Sequence, residues 1–176
     1  MSAALERAHE FADMSELLQA QCTRRAMGVH DLDAVMALEA GSYAFPWTRG
    51  NFIDSLAAGY VAEVLCHDDG ALVGYFVAMP GAGEMHLLNI TVAPRLRRCG
   101  LARLMLDTVL QHALDRDMAT LWLEVRASNK AARHLYERSG FVEVALRCAY
   151  YPGSQGREDA VVMRRGVSGE AGHGLD

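Results

Sequence analysis

Val92-Ala93-Pro94-Arg95-Leu96-Arg97-Arg98-Cys99-Gly100-Leu101-Ala102-Arg103 joins a run of strand formers, Leu87 to Val92, to a segment of helical periodicity. Ala102, Leu106, Val109 and Ala113 recur at i, i+4, i+7 and i+11, which predicts a helix over 98–116 with Arg116 well placed at its C-terminal dipole end. Pro94 closes the strand. Arg95, Arg97, Arg98 and Arg103 crowd the start of this helix, where the macrodipole disfavours a cation by about 0.3–1 kcal/mol. An anion would relieve that conflict. The first N–H groups of a helix have no partner within it, and Gly100 admits close backbone approach, so the junction predicts a cradle for a phosphate or pyrophosphate. The plainer alternative is a surface connection in a chain whose basic residues are almost all arginine.

Working outward, Ala119 to Val125 is a near-continuous apolar run, the pattern of a parallel strand covered on both faces. Ser128 or Asn129 caps a following helix with Ala132, Leu135 and Tyr136 on its inner stripe and Gly140 past its end. Phe141–Tyr150 and Asp159–Arg164 read as strands. Upstream, Asp31 to Ala40 suits a short helix, and Thr48 caps a second that reaches Ala58. Tyr60–Cys66 and Ala71–Met79 are strand-like runs divided by the turn Asp68-Asp69-Gly70, and Met85–Val92 is a third. This order predicts one mixed α/β domain over residues 23–165, a single mixed central sheet of about seven strands with helices on both faces. Residues 1–22 read as a peripheral or disordered extension, although Leu5, Ala8, Ala12, Met14, Leu17 and Leu18 have near-helical spacing. Residues 166–176, rich in glycine, read as a flexible tail.

The chain has 176 residues and a net charge of −5. That length suits one domain with a core large enough to need no staple. The acid balance argues against direct nucleic-acid binding, which rests on basic patches. Cys22, Cys66, Cys99 and Cys148 form no C-x-x-C pair, and no two histidines stand at ligand spacing, so no metal is expected. The uncharged stretch from Ala71 to Gly83 is broken by Gly74, Pro80 and Gly81, too short to span a membrane. The acidic first residues offer no secretory core, and a cytoplasmic location is expected.

Two phosphate motifs are excluded at the junction. No Gly-Lys-Ser/Thr follows Gly100, so it is not a Walker loop. The dinucleotide turn needs three glycines where this one has a single glycine, with an acid about twenty residues on. What stands here is R-x-x-G-x-A: Arg97, Gly100 and Ala102. On these residues the chain resembles the Gcn5-related N-acetyltransferase (GNAT) superfamily, whose acetyl-CoA motif is Q/R-x-x-G-x-G/A at such a junction. Thr120-Leu121-Trp122-Leu123-Glu124-Val125-Arg126-Ala127-Ser128-Asn129, Leu135-Tyr136-Glu137, Ser139-Gly140-Phe141, Tyr150-Tyr151-Pro152, Arg157-Glu158-Asp159-Ala160 and Ala44-Phe45-Pro46-Trp47 narrow the resemblance. Together they are similar to the ribosomal-protein-alanine N-acetyltransferases, the RimI type, over about residues 24–165.

The resemblance implies the GNAT fold and acetyl transfer from acetyl-CoA to an N-terminal alanine. It implies Glu124 as general base and Tyr136 as the acid that protonates the departing thiolate. It implies cofactor contacts from Ile90, Thr91, Val92, Arg97, Arg98, Cys99, Gly100, Leu101, Ala102, Arg103 and Asn129, and a substrate cleft lined by Phe45, Trp47, Tyr150 and Tyr151. The residues alone leave blander readings open. Glu124 also fits an idle strand-end acid, Tyr136 a packed core ring, Asn129 a plain helix cap, and the four aromatics a covered core edge. Cys99 stands where the family commonly has glutamine; a covalent acetyl-cysteine route is set aside, because this motif position is unrestricted and backbone amides do the cradling.

A glutamate base suits an α-amine. Such an amine has a pKa of about 7.7–8.0, whereas a lysine near 10.4 costs about 3.5 kcal/mol more to deprotonate. An apolar surrounding would strengthen the base. The expected partner is the basic N-terminus of a small-subunit ribosomal protein, the eighteenth, drawn to an acidic enzyme through Glu39, Glu84, Glu143, Glu158 and Asp159 near the cleft. Other readings are a GNAT enzyme of other N-termini, lysines or a small amine, and a non-catalytic CoA-binding module. A monomer is expected.

Overall fold

Asp68-Asp69-Gly70 reverses the chain as its composition predicts. Asp69 Oδ1 accepts the Ala71 N–H at 2.9 Å, and Gly70 takes the turn at φ +86°. In this computed structural model, which describes residues 14–153 and 156–167, that turn joins β2 (Val61–His67) to β3 (Leu72–Gly81). The remaining strands are β1 (Cys22–Ala26), β4 (Glu84–Val92), β5 (Thr120–Arg126), β6 (Val142–Gly153) and β7 (Gly156–Gly166). They form one seven-stranded mixed sheet in the order β1-β2-β3-β4-β5-β7-β6, flanked by helices. The helices are α1 (residues 14–20), α2 (Leu32–Ser42), α3 (Arg49–Ala57), α4 (Leu101–Leu114) and α5 (Lys130–Arg138).

β1 is a strand that the sequence does not announce. Cys-Thr-Arg-Arg-Ala carries no apolar alternation because the strand lies at the sheet edge with four of its five residues exposed. Arginines there discourage pairing with another chain. β1 pairs antiparallel with β2, from Cys22 opposite His67 to Ala26 opposite Glu63. The expected extension over 1–22 thus runs, in its described part, into a helix and the first residue of a strand. At the other end β7 reaches Gly166, and Val167 is buried with its N–H on the Ala119 carbonyl at 3.0 Å. Residues 168–176 and the first thirteen lie outside the described residues.

The chain divides into two compact units, one running to Phe76 and including Asn89–Met105, the other comprising Val77–Leu88 and Leu106 onward. In the first, Leu32, Val35, Phe52, Leu65, Tyr75 and Leu101 are fully buried. Phe52 meets the Tyr75 ring edge-on at 5.5 Å and Trp47 at 5.3 Å. Truncating such a buried ring costs about 3–5 kcal/mol. In the second, Met85, Leu106, Val109, Ala113, Leu121 and Met163 are buried. β4 pairs in parallel with β5 from Glu84 opposite Thr120 to Leu87 opposite Leu123, and this register ends one residue before Glu124.

Local chemistry sets the helix ends. Thr48 Oγ1 accepts the Asn51 N–H at 3.3 Å while Asn51 Oδ1 accepts the Thr48 N–H at 2.8 Å, a reciprocal cap for α3. Asn129 Oδ1 accepts the Ala132 N–H at 3.2 Å at the start of α5, and Gly140 leaves that helix at φ +84°. α4 starts three residues later than its periodicity predicts, because Arg98 and Gly100 adopt φ +71° and +76°, outside the helical region. Arg95, Arg97 and Arg98 therefore precede the helix, and Arg103 alone of the four lies in its first turn. Arg116 lies past its end but donates to the His112 carbonyl at 3.0 Å.

Candidate active site

The cradle belongs to the first unit. A 3-10 turn, Pro94–Leu96, follows β4, and the first bond of α4 runs from the Leu104 N–H to the Gly100 carbonyl at 3.0 Å. The N–H groups of Leu101, Ala102 and Arg103 thus precede the helical ladder, where an anion is held best. Arg95, Arg97, Arg98 and Arg103 are exposed and cationic, and Arg97 Nε donates to the Val92 carbonyl at 3.5 Å. This donor set fits a pyrophosphate. Cys99 is half-buried, with its thiol donating to the Arg97 carbonyl at 3.7 Å. The side chain at Gly100 is Gln19 of α1. Its Nε2 donates to the Cys99 carbonyl at 3.0 Å and stands 2.5 Å from where a Cβ on Gly100 would be. Nothing in the R-x-x-G-x-A pattern points to a residue eighty positions upstream.

The same unit holds the aromatic loop. Phe45 is 45 % exposed, whereas Trp47 is half-buried, its ring tilted on Phe52. The structure therefore separates two residues that the sequence groups: Trp47 covers a core edge, and Phe45 faces outward. The Trp47 N–H donates at 2.8 Å to Oε1 of Glu39, a carboxylate only 1 % exposed. Ile90, Thr91 and Val92 form the end of β4, and the Tyr43 hydroxyl donates to the Ile90 carbonyl at 3.2 Å.

In the second unit, β5 alternates. Leu121, Leu123 and Val125 are buried while Thr120, Trp122, Glu124 and Arg126 are only half-buried, so the strand is not enclosed on both faces as its composition predicts. Glu124 lies on the half-buried face. Its Oε1 accepts an ion pair from Arg147 Nε at 3.1 Å. The surroundings of this carboxylate are thus cationic and phenolic rather than apolar. The Tyr151 hydroxyl donates to the Glu124 carbonyl at 3.4 Å. Burial, and then the Glu124 charge, push the Tyr151 phenol up to about 12. A hydrogen bond to Glu124, with burial second, raises the Tyr150 phenol as well. Both stay protonated at neutral pH. The two rings meet edge-on at 5.0 Å, with Arg126 over Tyr151 and Arg147 over Tyr150.

A bulge delivers this arrangement. The β6–β7 register shifts between Arg147 and Tyr151, and Ala149 takes φ +50°. Asp159 Oδ1 accepts the Ala149 N–H at 2.7 Å, while Arg157 donates to the Ala149 and Tyr150 carbonyls at 2.6 and 2.5 Å. Glu158 accepts the Ser128 N–H at 2.8 Å and Arg126 Nη1 at 3.2 Å, contacts that hold its carboxyl below the usual range. Arg157-Glu158-Asp159 thus clamps the bulge and the start of α5. Tyr136 is 6 % exposed on α5 with its ring 5.8 Å from Phe141.

The acids expected to draw a basic partner prove largely engaged. Glu39 is buried, Glu143 pairs with Arg133, Glu158 with Arg126, and Asp159 with the Ala149 N–H. Glu84 faces His86 at 3.5 Å. Arg147 and Gln19 are residues that sequence reasoning misses, and Glu39, expected near the cleft, lies buried instead. Among the described residues no group of three His, Cys, Asp or Glu is placed to hold a metal, and no helix is long and apolar enough to cross a membrane.

A sequence profile of the acetyltransferase (GNAT) family matches residues 32–141. The chain is 39 % identical over 138 residues to the ribosomal protein bS18-alanine N-acetyltransferases of Salmonella typhimurium and Escherichia coli K12, covering 78 % of this chain and 93 % of each relative. The crystal structure of the ribosomal-protein-S18-alanine N-acetyltransferase from Escherichia coli superposes with TM-score 0.79 at 37 % identity, over 88 % of this chain and 99 % of that one. Ard1 from Thermoplasma volcanium superposes with TM-score 0.74 at 26 % identity, over 83 % and 97 %. With more than half of its length matched by the family profile, the chain belongs to the acetyltransferase (GNAT) family, a family of acyltransferases.

Proposed function

We propose that this chain transfers the acetyl group of acetyl-CoA to the α-amine of an N-terminal alanine, that of the small-subunit ribosomal protein bS18. The observation that carries the reading is the Glu124 carboxylate, half-buried at the end of the β4–β5 ladder with Arg147 and two protonated tyrosines about it. The relatives named for this reaction support the substrate. The exposed arginines and the first N–H groups of α4 suit the phosphates of acetyl-CoA, with Ile90, Thr91 and Val92 offering main-chain groups to the rest of it and Asn129 a polar contact beside its cap.

Glu124 takes the proton that the amine nitrogen sheds as it bonds to the acetyl carbon. The carbon–sulfur bond breaks, the sulfur leaves with the electron pair, and Tyr136 gives it a proton. Solvent returns both side chains to their starting states, so one proton has passed from amine to thiol. An N–H of β4 stabilises the oxyanion. One glutamate suffices for an α-amine, already partly neutral at physiological pH, and not for a lysine. Phe45, Tyr150 and Tyr151 contact the first residues of the peptide, and Trp47 supports the loop that carries Phe45. The partner is a basic protein, with no nucleic acid or membrane involved, and the place of action is the cytoplasm.

Mass spectrometry of ribosomal proteins from cells lacking this chain tests the proposal. bS18 is expected with a free N-terminal alanine in those cells and acetylated when the chain is restored. Unchanged acetylation of bS18 would contradict it.

A further inference from the structure

Glu39 is a fully buried carboxylate to which the chemistry above gives no proton to move. Its Oε1 accepts the Trp47 N–H at 2.8 Å and the Asn89 side-chain amide at 3.4 Å, and its Oε2 accepts the Tyr75 hydroxyl. Burial, with that bond second, pushes the Tyr75 phenol far up, so it remains a donor. From the other side, the Tyr43 hydroxyl donates to the Ile90 carbonyl at 3.2 Å and lies 3.0 Å from Thr91 Oγ1, whose hydroxyl donates to Asn89 Oδ1 at 3.1 Å. The network runs Tyr43, Thr91, Asn89, Glu39 and returns to the loop at Trp47. Both ends of the segment 43–47 are therefore tied to one set of bonds, with Phe45 exposed between them.

Taking a carboxylate out of water is costly unless its oxygens are satisfied, and here they are satisfied by groups that fix a surface loop. A loop held before binding loses little freedom when it binds. We propose that Glu39 is a positioning residue for the peptide substrate: it locks the segment 43–47 so that Phe45 presents a preformed aromatic contact to the peptide's first residues. The inference rests on the peptide-acetylating function proposed above.

Steady-state kinetics with an alanine-starting peptide test it. Glu39→Ala is expected to raise the peptide KM about tenfold, with kcat and the acetyl-CoA Kd within about twofold of wild type. Glu39→Gln is expected to keep a near-normal KM, because its amide oxygen still accepts the Trp47 N–H and its NH2 donates to the Tyr75 oxygen. Phe45→Ala should give the same rise as Glu39→Ala, and the double variant little more. A Glu39→Gln variant whose peptide KM rises as much as that of Glu39→Ala would overturn the proposal, as would a large kcat loss in Glu39→Ala or multiplying KM effects in the double variant. If Glu39→Ala does not fold, Tyr43→Phe serves: a raised peptide KM supports the proposal and an unchanged one overturns it. If wild-type enzyme leaves the peptide unmodified, the function proposed above fails. The lock is then read from acrylamide quenching of Trp47 in a Trp122→Phe background. Quenching should rise with Glu39→Ala and not with Glu39→Gln, and equal quenching in all three would overturn the lock.

Discussion

Arg147 and Glu124 form an ion pair, Nε to Oε1 at 3.1 Å, although they lie on β6 and β5, strands that are separated in the sheet by β7. Glu158 reaches from β7 to Arg126 of β5, so two charge pairs brace the same strand end. The carboxylate assigned the base role is thereby held in one orientation, with protonated Tyr150 and Tyr151 beside it.

Glu124→Gln is expected to lower kcat at neutral pH by about 100- to 10,000-fold while sparing acetyl-CoA affinity. The loss should shrink as pH rises and the amine deprotonates unaided. Rate profiles from pH 6 to 10 with calorimetric titration of acetyl-CoA check both parts. A pH-independent deficit would remove Glu124 from the base role.

Tyr136→Phe should instead slow departure of the thiolate, with a kcat deficit that does not depend on the amine's pKa. Peptides whose N-terminal residues span a range of amine pKa values read this out. A deficit that tracks amine pKa would contradict an acid role for Tyr136.

Gly100→Asp puts a negative charge at the cradle, at a φ of +76° that side chains rarely adopt, and against Gln19. Acetyl-CoA affinity should fall by about 100-fold or more, with the melting temperature confirming a folded variant. Unchanged affinity would place the phosphates elsewhere.

Arg25 donates to both oxygens of Asp31 at 2.8 and 2.6 Å, and the Gly28 N–H adds a third bond at 2.8 Å. The guanidinium, more than the N–H, holds the Asp31 carboxyl below the usual range against the opposing effect of burial. A carboxylate depressed in the folded state stabilises fully above its unfolded pKa of about 3.9, and that contribution fades as pH falls through the folded value. Asp31→Asn should therefore cost about 1–3 kcal/mol at neutral pH and flatten the loss of stability below about pH 4. Denaturant melts at several pH values measure this.

Legibility in the sequence followed locality. Thr48, Asn129 and Gly140 act through bonds three residues long or through their own φ, so their roles are visible in a short window. The strand before Gly100 and the helix after it are equally local, and the family motif lies between them. Arg147 was hidden because a bulge shifts its register, and the bulge centres on Ala149, whose φ of +50° nothing in its residue type foretells. Glu39 reads in the sequence as an acid near the cleft, and its burial is not legible there because it depends on Trp47, Tyr75 and Asn89 converging from three separate segments. β1 was missed because an exposed edge strand carries no apolar signal.

Acetyl transfer by a single glutamate base discriminates an α-amine from a lysine. Mass spectrometry of a peptide that begins with alanine and carries arginines and one internal lysine, offered with its α-amine free or blocked, reads that discrimination. The free peptide should gain one acetyl group, at its N-terminus. The blocked peptide should gain almost none, because Glu124 would face about 3.5 kcal/mol more to deprotonate the lysine. Acetylation of lysine in the blocked peptide at the rate of the free N-terminus would contradict α-amine transfer by a lone Glu124 base.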